Sequence, residues 1–369
     1  MTKEGKYSKR GKKRMFSSLA VAFLALIISL FVLVKGADLF LESASKIAKH
    51  LGMSEFVVGL TLVSIGTSLP ELANAITASI TKEPGIIMGN IIGSNIANIG
   101  LVLAITLIIT TITIKKFEYE KIFITLLAVL MFSLFASDLQ ISRYEALILI
   151  AFFLVYFRGI FKVKHKHKHH KKFFNSLLEL RGLLSFSKLR ELNQARNNSK
   201  NDKQTKKFMK EALLYESIRE FIILIIGIAL IILGSRYTIF SAVDISVFLN
   251  VQESVIAAFI VAIGTTLPEL FVNLTGIKKG YKDLVLGNLL GSIVFNSLII
   301  IGIASLINPI QVNIVTLRFL IPTMLVFCFL LFVFFKKSPL LAKREGFLLL
   351  SLYIMYILVL LLTSIHVIA

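Results

Sequence analysis

Two glutamates, Glu71 and Glu269, stand out among the ionisable residues because each lies within a long apolar stretch. They occupy the same position in a repeated motif, GTSLPEL at 66–72 and GTTLPEL at 264–270. A carboxylate at the centre of a bilayer costs about 2.5 kcal/mol or more, so such a residue generally has a function. Neither motif contains a lysine or arginine that could neutralise its glutamate. The pair therefore predicts a site for a mobile cation.

Each of these glutamates follows a proline, Pro70 or Pro268, which lacks the backbone N–H that a helix needs. The proline rings also displace the carbonyl groups four residues earlier, those of Gly66 and Gly264. Within a membrane, backbone groups freed in this way persist only where protein or a water-lined cavity satisfies them. Hydroxyl groups stand beside the two breaks, on Thr67, Ser68, Thr265 and Thr266. Such a cluster of oxygens suits a hard cation, and Ca2+ takes roughly six to eight oxygen ligands.

A second motif follows each glutamate, GNIIGSNIAN at 89–98 and GNLLGSIVFN at 287–296, and both motifs recur at the same interval. Each copy places a serine and an asparagine four residues apart, so the hydroxyl and the amide share one helix face. These pairs are Ser94 with Asn98 and Ser292 with Asn296. They are candidate cation ligands, with interhelical hydrogen bonding as the alternative role of the asparagines. Close helix packing is predicted for the glycines at four-residue spacing, Gly85, Gly89, Gly93, Gly287 and Gly291.

The composition is that of a polytopic membrane protein, since 56% of the 369 residues are hydrophobic and the mean hydropathy is +0.83. The one cysteine, Cys328, excludes an intrachain disulfide and a thiolate metal cluster. No nucleophile elbow, phosphate-binding glycine loop or HExxH zinc pair is present in the sequence. An enzyme is therefore the weakest interpretation, and catalytic residues, a cofactor and a nucleic-acid partner are not expected.

Apolar runs of about 20 residues predict ten membrane-spanning helices. The predicted spans are 15–36, 55–80, 86–110, 119–137, 141–161, 217–239, 251–277, 283–307, 314–335 and 344–364. Gly36 aligns with Gly234 at the interval of the two motifs, so the repeat covers five spans. Because five is odd, the second copy has to be inverted relative to the first. The predicted fold class is an all-α polytopic membrane protein with ten transmembrane helices as two inverted five-helix repeats.

The positions of the basic residues, together with the repeat, divide the chain into four predicted segments. The predicted segments are a basic N-terminal tail at 1–14, a first repeat at 15–161, a basic loop at 162–216 and a second repeat at 217–369. Residues 158–210 contain sixteen lysines and arginines against three acids, and positively charged loops stay in the cytoplasm. The predicted orientation therefore has the loop inside and both termini outside. The basic tail at 1–14 would then lie outside, contrary to the same rule. Either the tail is translocated or translation starts at Met15.

The 162–216 loop is predicted to be solvated and attracted to anionic lipid headgroups. Its KHKHKHHKK stretch at 164–172 could instead bind a metal or sense pH. The neighbouring lysines would repel a metal ion, so the lipid-facing interpretation is preferred.

The four motifs together resemble the two alpha-repeats of the sodium/calcium exchanger family, within the calcium/cation antiporter superfamily and of the compact prokaryotic type. The resemblance implies two inverted halves and a central site built from spans 2, 3, 7 and 8. It also implies alternating access by sliding of spans 1 and 6, and countertransport of Na+ against Ca2+. The membrane expected for such a compact chain is a prokaryotic plasma membrane.

The resemblance also implies a role for each matching residue. Glu71 and Glu269 would be the principal Ca2+ ligands and would also serve Na+. The carbonyl groups of Thr67 and Thr265 would complete the calcium shell, and Asn98 would face the centre. The flanking Na+ positions would be lined by the hydroxyls of Ser68, Thr266, Ser94 and Ser292 and by the carbonyls of Ser64 and Ala262.

Two positions depart from the family pattern. Asn296 stands where the family often has aspartate, so the site has two fixed carboxylates, which weakens a case for K+ co-transport. Ca2+ would then leave the site neutral, whereas three Na+ would leave it positive, so charge counting does not favour three Na+ over two. Thr266 replaces the more usual serine and adds a methyl group near a Na+ position.

The expected function is a secondary active antiporter that exchanges Na+ for Ca2+ by alternating access at a central two-glutamate site. One alternative is H+/Ca2+ exchange, in which protons on Glu71 and Glu269 replace Na+. A passive cation channel lined by the same oxygens is a second and less favoured alternative.

Overall fold

The computed structural model describes residues 16–51, 53–113, 116–162, 203–248 and 266–368, which are almost entirely helical. The first half contains α1 (Leu19–Leu51), α2 (Glu55–Val58), α3 (Ser64–Thr67), α4 (Leu69–Ile80), α5 (Pro84–Ala97), α6 (Ala104–Ile109), α7 (Lys116–Phe135) and α8 (Arg143–Lys162). The second half contains α9 (Lys203–Phe248), α10 (Leu267–Lys278), α11 (Lys282–Phe295), α12 (Ile301–Ile307), α13 (Ile321–Lys337) and α14 (Lys343–Ile368). Four π-helical turns join or begin helices, at Gly59–Val63, Asn98–Leu103, Asn296–Ile300 and Thr316–Leu320.

Several of these helices are candidates for crossing a membrane. Within the described residues, five are long and apolar enough, or six if one bent pair counts as a single span. They are Leu19–Ala48, Pro84–Ile109, Ile218–Ile245, Lys282–Ile307 and Thr316–Lys337, with the bent pair Glu55–Thr67 and Leu69–Ile80. The mostly helical, multi-pass character is thus confirmed. The number ten stays a prediction. The predicted spans 119–137, 141–161 and 344–364 correspond to the described helices α7, α8 and α14, which are not among these candidates, and the predicted span 251–277 falls largely on residues outside the described part.

The long helices α1 and α9 extend beyond the apolar runs that predicted them. α9 begins at Lys203, inside the segment predicted as a basic loop, because residues 203–216 are rich in strong helix formers such as lysine, glutamate, alanine and leucine. The end of α1 carries a Glu42–Lys46 pair at 3.1 Å, spaced to support a helix. Hydropathy therefore predicted the apolar spans within α1 and α9, whereas the ends of these two helices depend on the helix propensity of the polar residues beside the spans.

The helices α1 and α9 pack against each other along much of their length. A Cβ atom on Gly234 would lie only 2.7 Å from the backbone nitrogen of Leu33, so the two backbones are in direct contact there. Their outer faces carry exposed apolar side chains, including Phe31, which is 62% exposed. In a bilayer, these faces would contact lipid.

In the described part of the chain, four strands of two residues each connect the halves, and the sequence did not predict them. They are β1 (Ile112–Thr113), β2 (Gln140–Ile141), β3 (Ile310–Gln311) and β4 (Leu340–Leu341). β1 pairs antiparallel with β4, and β2 pairs antiparallel with β3. β1 and β3 follow the second motif of their own halves at the same distance, so each half contributes the corresponding strand to a ladder with the other.

The centre of the described structure is α11, in which every residue from Leu284 to Phe295 is buried. It packs against the segment formed by α2, the first π turn and α3. A Cβ on Gly287 would lie 2.2 Å from the Phe56 carbonyl oxygen, which confirms the predicted packing role of this glycine. At Gly85, Gly89 and Gly93, by contrast, no described atom lies within 4 Å of such a Cβ.

Candidate ion-binding site

The residue that precedes the proline-containing helix has nearly the same backbone geometry in both copies. Ser68, between α3 and α4, has φ −90° and ψ 8°, and the helices on either side differ in direction by 45°. Thr266, just before α10, has φ −94° and ψ 3°. Pro70 and Pro268 lie in the first turns of α4 and α10, as expected for a residue without an N–H. The repeated motif therefore produces the same local structure twice.

The two glutamates lie in the first turns of α4 and α10. Glu71 and Glu269 are each 1% exposed. They are close enough to each other for their charges to interact. Each also lies at the end of a helix where the backbone dipoles favour negative charge. The fold thus brings together two carboxylates that are far apart in the sequence.

Hydroxyl groups lie beside both carboxylates. The Ser68 hydroxyl donates a hydrogen bond to Oε1 of Glu269 over 3.4 Å. The Thr67 side chain also interacts with Glu269, and the Ser94 hydroxyl lies beside Glu71. Hydroxyls of the first GTSLPEL motif therefore serve the glutamate of the second copy.

Several buried polar atoms in this region have no hydrogen-bond partner among the described residues. They are both carboxylate oxygens of Glu71, Oε2 of Glu269, Oγ of Ser292, Oδ1 of Asn296 and the side-chain amide of Asn98. Leaving a buried polar group without a hydrogen-bond partner costs about 1–3 kcal/mol of stability, so a ligand that contacts these atoms would offset that cost. Apart from the amide nitrogen of Asn98, all of these atoms are oxygens, the ligand type that hard cations prefer. No cluster of three or more His, Cys, Asp or Glu occurs in the described part of the chain, so the candidate site depends on hydroxyls and amides as well as carboxylates.

The two predicted asparagines begin π-helical turns, Asn98–Leu103 and Asn296–Ile300. Turns of this kind are often found at functional sites. The Asn98–Leu103 turn packs against α10, which carries Glu269, and the Asn296–Ile300 turn packs against α4, which carries Glu71. Each asparagine turn thus supports the helix that bears the glutamate of the other half.

One polar network beside the site was not predicted. The Thr67 hydroxyl lies 3.2 Å from Oδ1 of Asn288, to which it donates, and Nδ2 of Asn288 donates to Oδ1 of Asn273 over 2.9 Å. All three side chains are buried. The available signal was the asparagine that follows the first glycine of GNIIGSNIAN and GNLLGSIVFN, at Asn90 and Asn288.

A second unpredicted network centres on Asn95. Its Oδ1 accepts a hydrogen bond from Nδ2 of Asn296 over 3.1 Å. Its own Nδ2 donates to Oγ of Ser297 over 3.0 Å and to Sδ of Met324 over 3.6 Å. The amino group of Asn296 therefore makes the interhelical hydrogen bond that was its alternative predicted role. Its Oδ1 lacks a partner among the described residues.

The structure brings most of the predicted site residues into this buried region. Those at most 1% exposed are Ser64, Thr67, Ser68, Glu71, Ser94, Asn98, Thr266, Glu269, Ser292 and Asn296. The carbonyl oxygen of Ser64 accepts a hydrogen bond from the Ser68 backbone, at 3.1 Å, and lies 3.3 Å from the Thr67 hydroxyl. Thr265 and Ala262 lie outside the described residues, as do the basic tail and the histidine-rich stretch.

The chain is similar to known membrane proteins along most of its length. The family model described as sodium/calcium exchanger protein matches residues 21–161 and 219–362. The chain is 33% identical to the sodium/calcium exchanger MaX1 of Methanosarcina acetivorans, over 93% of this chain and 99% of that protein. It is 29% identical to the inner membrane protein YrbG of Escherichia coli, over 80% of this chain and 82% of that protein. The solved structure of the sodium-calcium exchanger NCX_Mj soaked with Na+ and Sr2+ matches with a TM-score of 0.72 and 28% identity, over 92% of this chain and 98% of that one.

Proposed function

Because the chain belongs to the sodium/calcium exchanger protein family, we propose that it is a secondary active antiporter exchanging Na+ for Ca2+ across the membrane. One observation carries this proposal: Glu71 and Glu269 are both buried and close enough for their charges to interact, and three of their four carboxylate oxygens lack a hydrogen-bond partner among the described residues. Two buried like charges require a counter-charge. In a transporter, a mobile cation can supply it.

The proposed ligands combine carboxylate, carbonyl and hydroxyl oxygens. Glu71 and Glu269 bind Ca2+ together with the carbonyl groups of Thr67 and Thr265. The Na+ positions use the hydroxyls of Ser68, Thr266, Ser94 and Ser292 and the carbonyls of Ser64 and Ala262, and Asn98 and Asn296 contribute amide oxygens. The hydrogen bond from Ser68 to Glu269 and the unpartnered Oγ of Ser292 support this assignment.

Exchange follows from competition between the two ions for the same carboxylates. Ca2+ neutralises Glu71 and Glu269 together, so Na+ cannot occupy both glutamates until Ca2+ has left. We expect α1 and α9 to slide as a pair past the site helices and to open the site alternately to each side. Their close backbone packing and their apolar outer faces support movement as one unit. If one net charge moves per cycle, 100 mV biases exchange by about 2.3 kcal/mol.

The proposed architecture has ten spans in two inverted five-helix repeats, at 15–161 and 217–369. Supporting observations are the matching backbone geometry of Ser68 and Thr266 before α4 and α10 and the crosswise pairing of the four described strands. We further propose a plasma-membrane protein with the 162–216 loop in the cytoplasm, near anionic lipid headgroups, and with both termini outside. The distribution of positive charge supports this orientation.

Coupling to protons is the second candidate. The interaction between the charges of Glu71 and Glu269 favours it, because protonation relieves repulsion in a buried site as Na+ does. In that case Ca2+ uptake would require a pH gradient and not a Na+ gradient.

The test is radioactive Ca2+ uptake into proteoliposomes loaded with Na+ and diluted into Na+-free buffer, with equal pH on both sides. Uptake that requires internal Na+ is the expected result. Uptake driven only by an imposed pH gradient would replace Na+ coupling with H+ coupling. Ca2+ entry without either gradient would contradict antiport and indicate a channel.

A further inference from the structure

Asn95 is a buried polar residue to which the proposed transport mechanism assigns no role. It lies on α5 directly after Ser94 and is 0% exposed, as are its partners Asn296, Ser297 and Met324. The hydrogen bonds of its side chain that the structure shows all cross to the second half of the chain. A buried polar residue of this kind is expected to fix the orientation of its neighbours.

The direction of these hydrogen bonds is set at Met324. A thioether sulfur only accepts hydrogen bonds, whereas an asparagine side chain has a donor end and an acceptor end. The amino group of Asn95 therefore faces Met324, and its oxygen faces Asn296. Asn296 must then present its own amino group to Asn95. Its Oδ1 is left at the opposite end, buried and without a partner among the described residues.

The orientation of Asn296 matters because of where the residue lies. It begins the π turn that packs against α4, the helix carrying Glu71. An amide oxygen there adds a cation ligand, whereas an amino group would repel a cation. Rotating the Asn296 amide by half a turn would therefore replace an oxygen that attracts the cation with an amino group that repels it.

We propose that Asn95 is a positioning residue for ion binding, which holds the Asn296 amide with its oxygen available to the cation and its amino group turned away. This inference rests on the proposed function, because it assumes that residue 296 faces the transported ion. This positioning interaction belongs to Asn296 and not to Asn98. The residue that corresponds to Asn95 in the second half is Ile293, which has no polar side-chain atom. Both polar atoms of the Asn98 side chain lack a partner among the described residues.

The test compares the apparent KM for Ca2+ and the maximal rate of Na+-driven uptake in wild type, Asn95→Leu, Asn296→Ala and the double variant. Leucine removes both hydrogen-bonding ends and keeps the number and branching of the side-chain heavy atoms. We expect Asn95→Leu to raise the KM about fivefold, the equivalent of roughly one hydrogen bond, with the maximal rate within about twofold of wild type. In the Asn296→Ala background, the same substitution should leave the KM unchanged.

An unchanged KM in Asn95→Leu would overturn the proposal, and so would an equal rise in both backgrounds, which would indicate a general structural effect. If Asn95→Leu is not recovered as monodisperse protein, Met324→Leu tests the same set of bonds by removing the acceptor that orients Asn95. The proposal then requires a raised KM in that variant, and again no rise without Asn296. A wild type without Na+-driven uptake would contradict the proposed function itself, whereas an active wild type with an insensitive Asn95 variant contradicts only this inference.

Discussion

Ser68 and Glu269 come from different copies of the repeat, and the Ser68 hydroxyl donates to Oε1 of Glu269 over 3.4 Å. The hydroxyl that one motif places beside its helix break therefore serves the carboxylate of the other motif. Because the contact crosses the halves, neither half carries a complete site. The proposed cation site would therefore be complete only when the two repeats are assembled.

Replacing Ser68 by alanine should weaken ion binding without preventing folding. The substitution removes a hydroxyl beside Glu269, and we expect the Na+ concentration for half-maximal Ca2+ exchange to rise about three- to tenfold. Na+ titration of uptake in proteoliposomes measures this change. Ser79→Ala is the matched control, since Ser79 is a buried residue of α4, the helix that follows Ser68, and its hydroxyl donates instead to the Ala304 carbonyl. Equal effects of both substitutions would contradict a specific role for Ser68.

Replacing either glutamate by glutamine should abolish Ca2+ uptake. Glu71→Gln and Glu269→Gln each keep the size of the side chain and remove one of the two charges that balance Ca2+. Uptake above that of empty liposomes in either variant would remove that residue from the proposed site. Glu83→Gln makes the same chemical change at an exposed position and should transport like wild type.

Thr67→Val should lower stability, because it leaves Oδ1 of Asn288 without its hydrogen bond in a buried position. The expected loss is about 1–3 kcal/mol, seen as a lower apparent melting temperature of the detergent-solubilised protein. Thr67→Ser retains the hydroxyl and should melt close to wild type. If both variants melt alike, the hydrogen bond to Asn288 does not stabilise the fold.

Gly287→Ala should be strongly destabilising, because the new Cβ would lie 2.2 Å from the Phe56 carbonyl oxygen and 2.8 Å from the Leu60 nitrogen. Backbone atoms cannot yield as flexible side chains do, so we expect a loss of about 1–3 kcal/mol or no recovered protein. Gly159→Ala is the control, since no described atom lies within 4 Å of its Cβ and alanine favours a helix. The comparison is made by melting temperature and by yield of monodisperse protein. A Gly287 variant as stable as wild type would show that α11 can move away from α2.

Local features of the site were predictable because they depend on residue type and short spacing. Proline predicts where α4 and α10 begin, after Ser68 and Thr266, and the apolar surroundings of Glu71 and Glu269 made both residues candidates for an ion site. Other features depend on contacts that spacing does not reveal. The start of α9 at Lys203 was missed because hydropathy does not detect a charged helix, and the four short strands were missed because two-residue pairings carry no sequence period.

The sequence by itself determined that the chain carries two equivalent membrane-embedded motifs, each with a carboxylate, a broken helix and a serine–asparagine pair. Periodicity and transfer energies are properties of a segment alone, so they can be read without knowing its neighbours. Only the tertiary structure decided which partners these groups meet: Ser68 with Glu269, Thr67 with Asn288, and Asn95 with Asn296. These hydrogen bonds join residues of different halves and act over about 3 Å, so they depend on how the helices pack rather than on the order of residues along the chain.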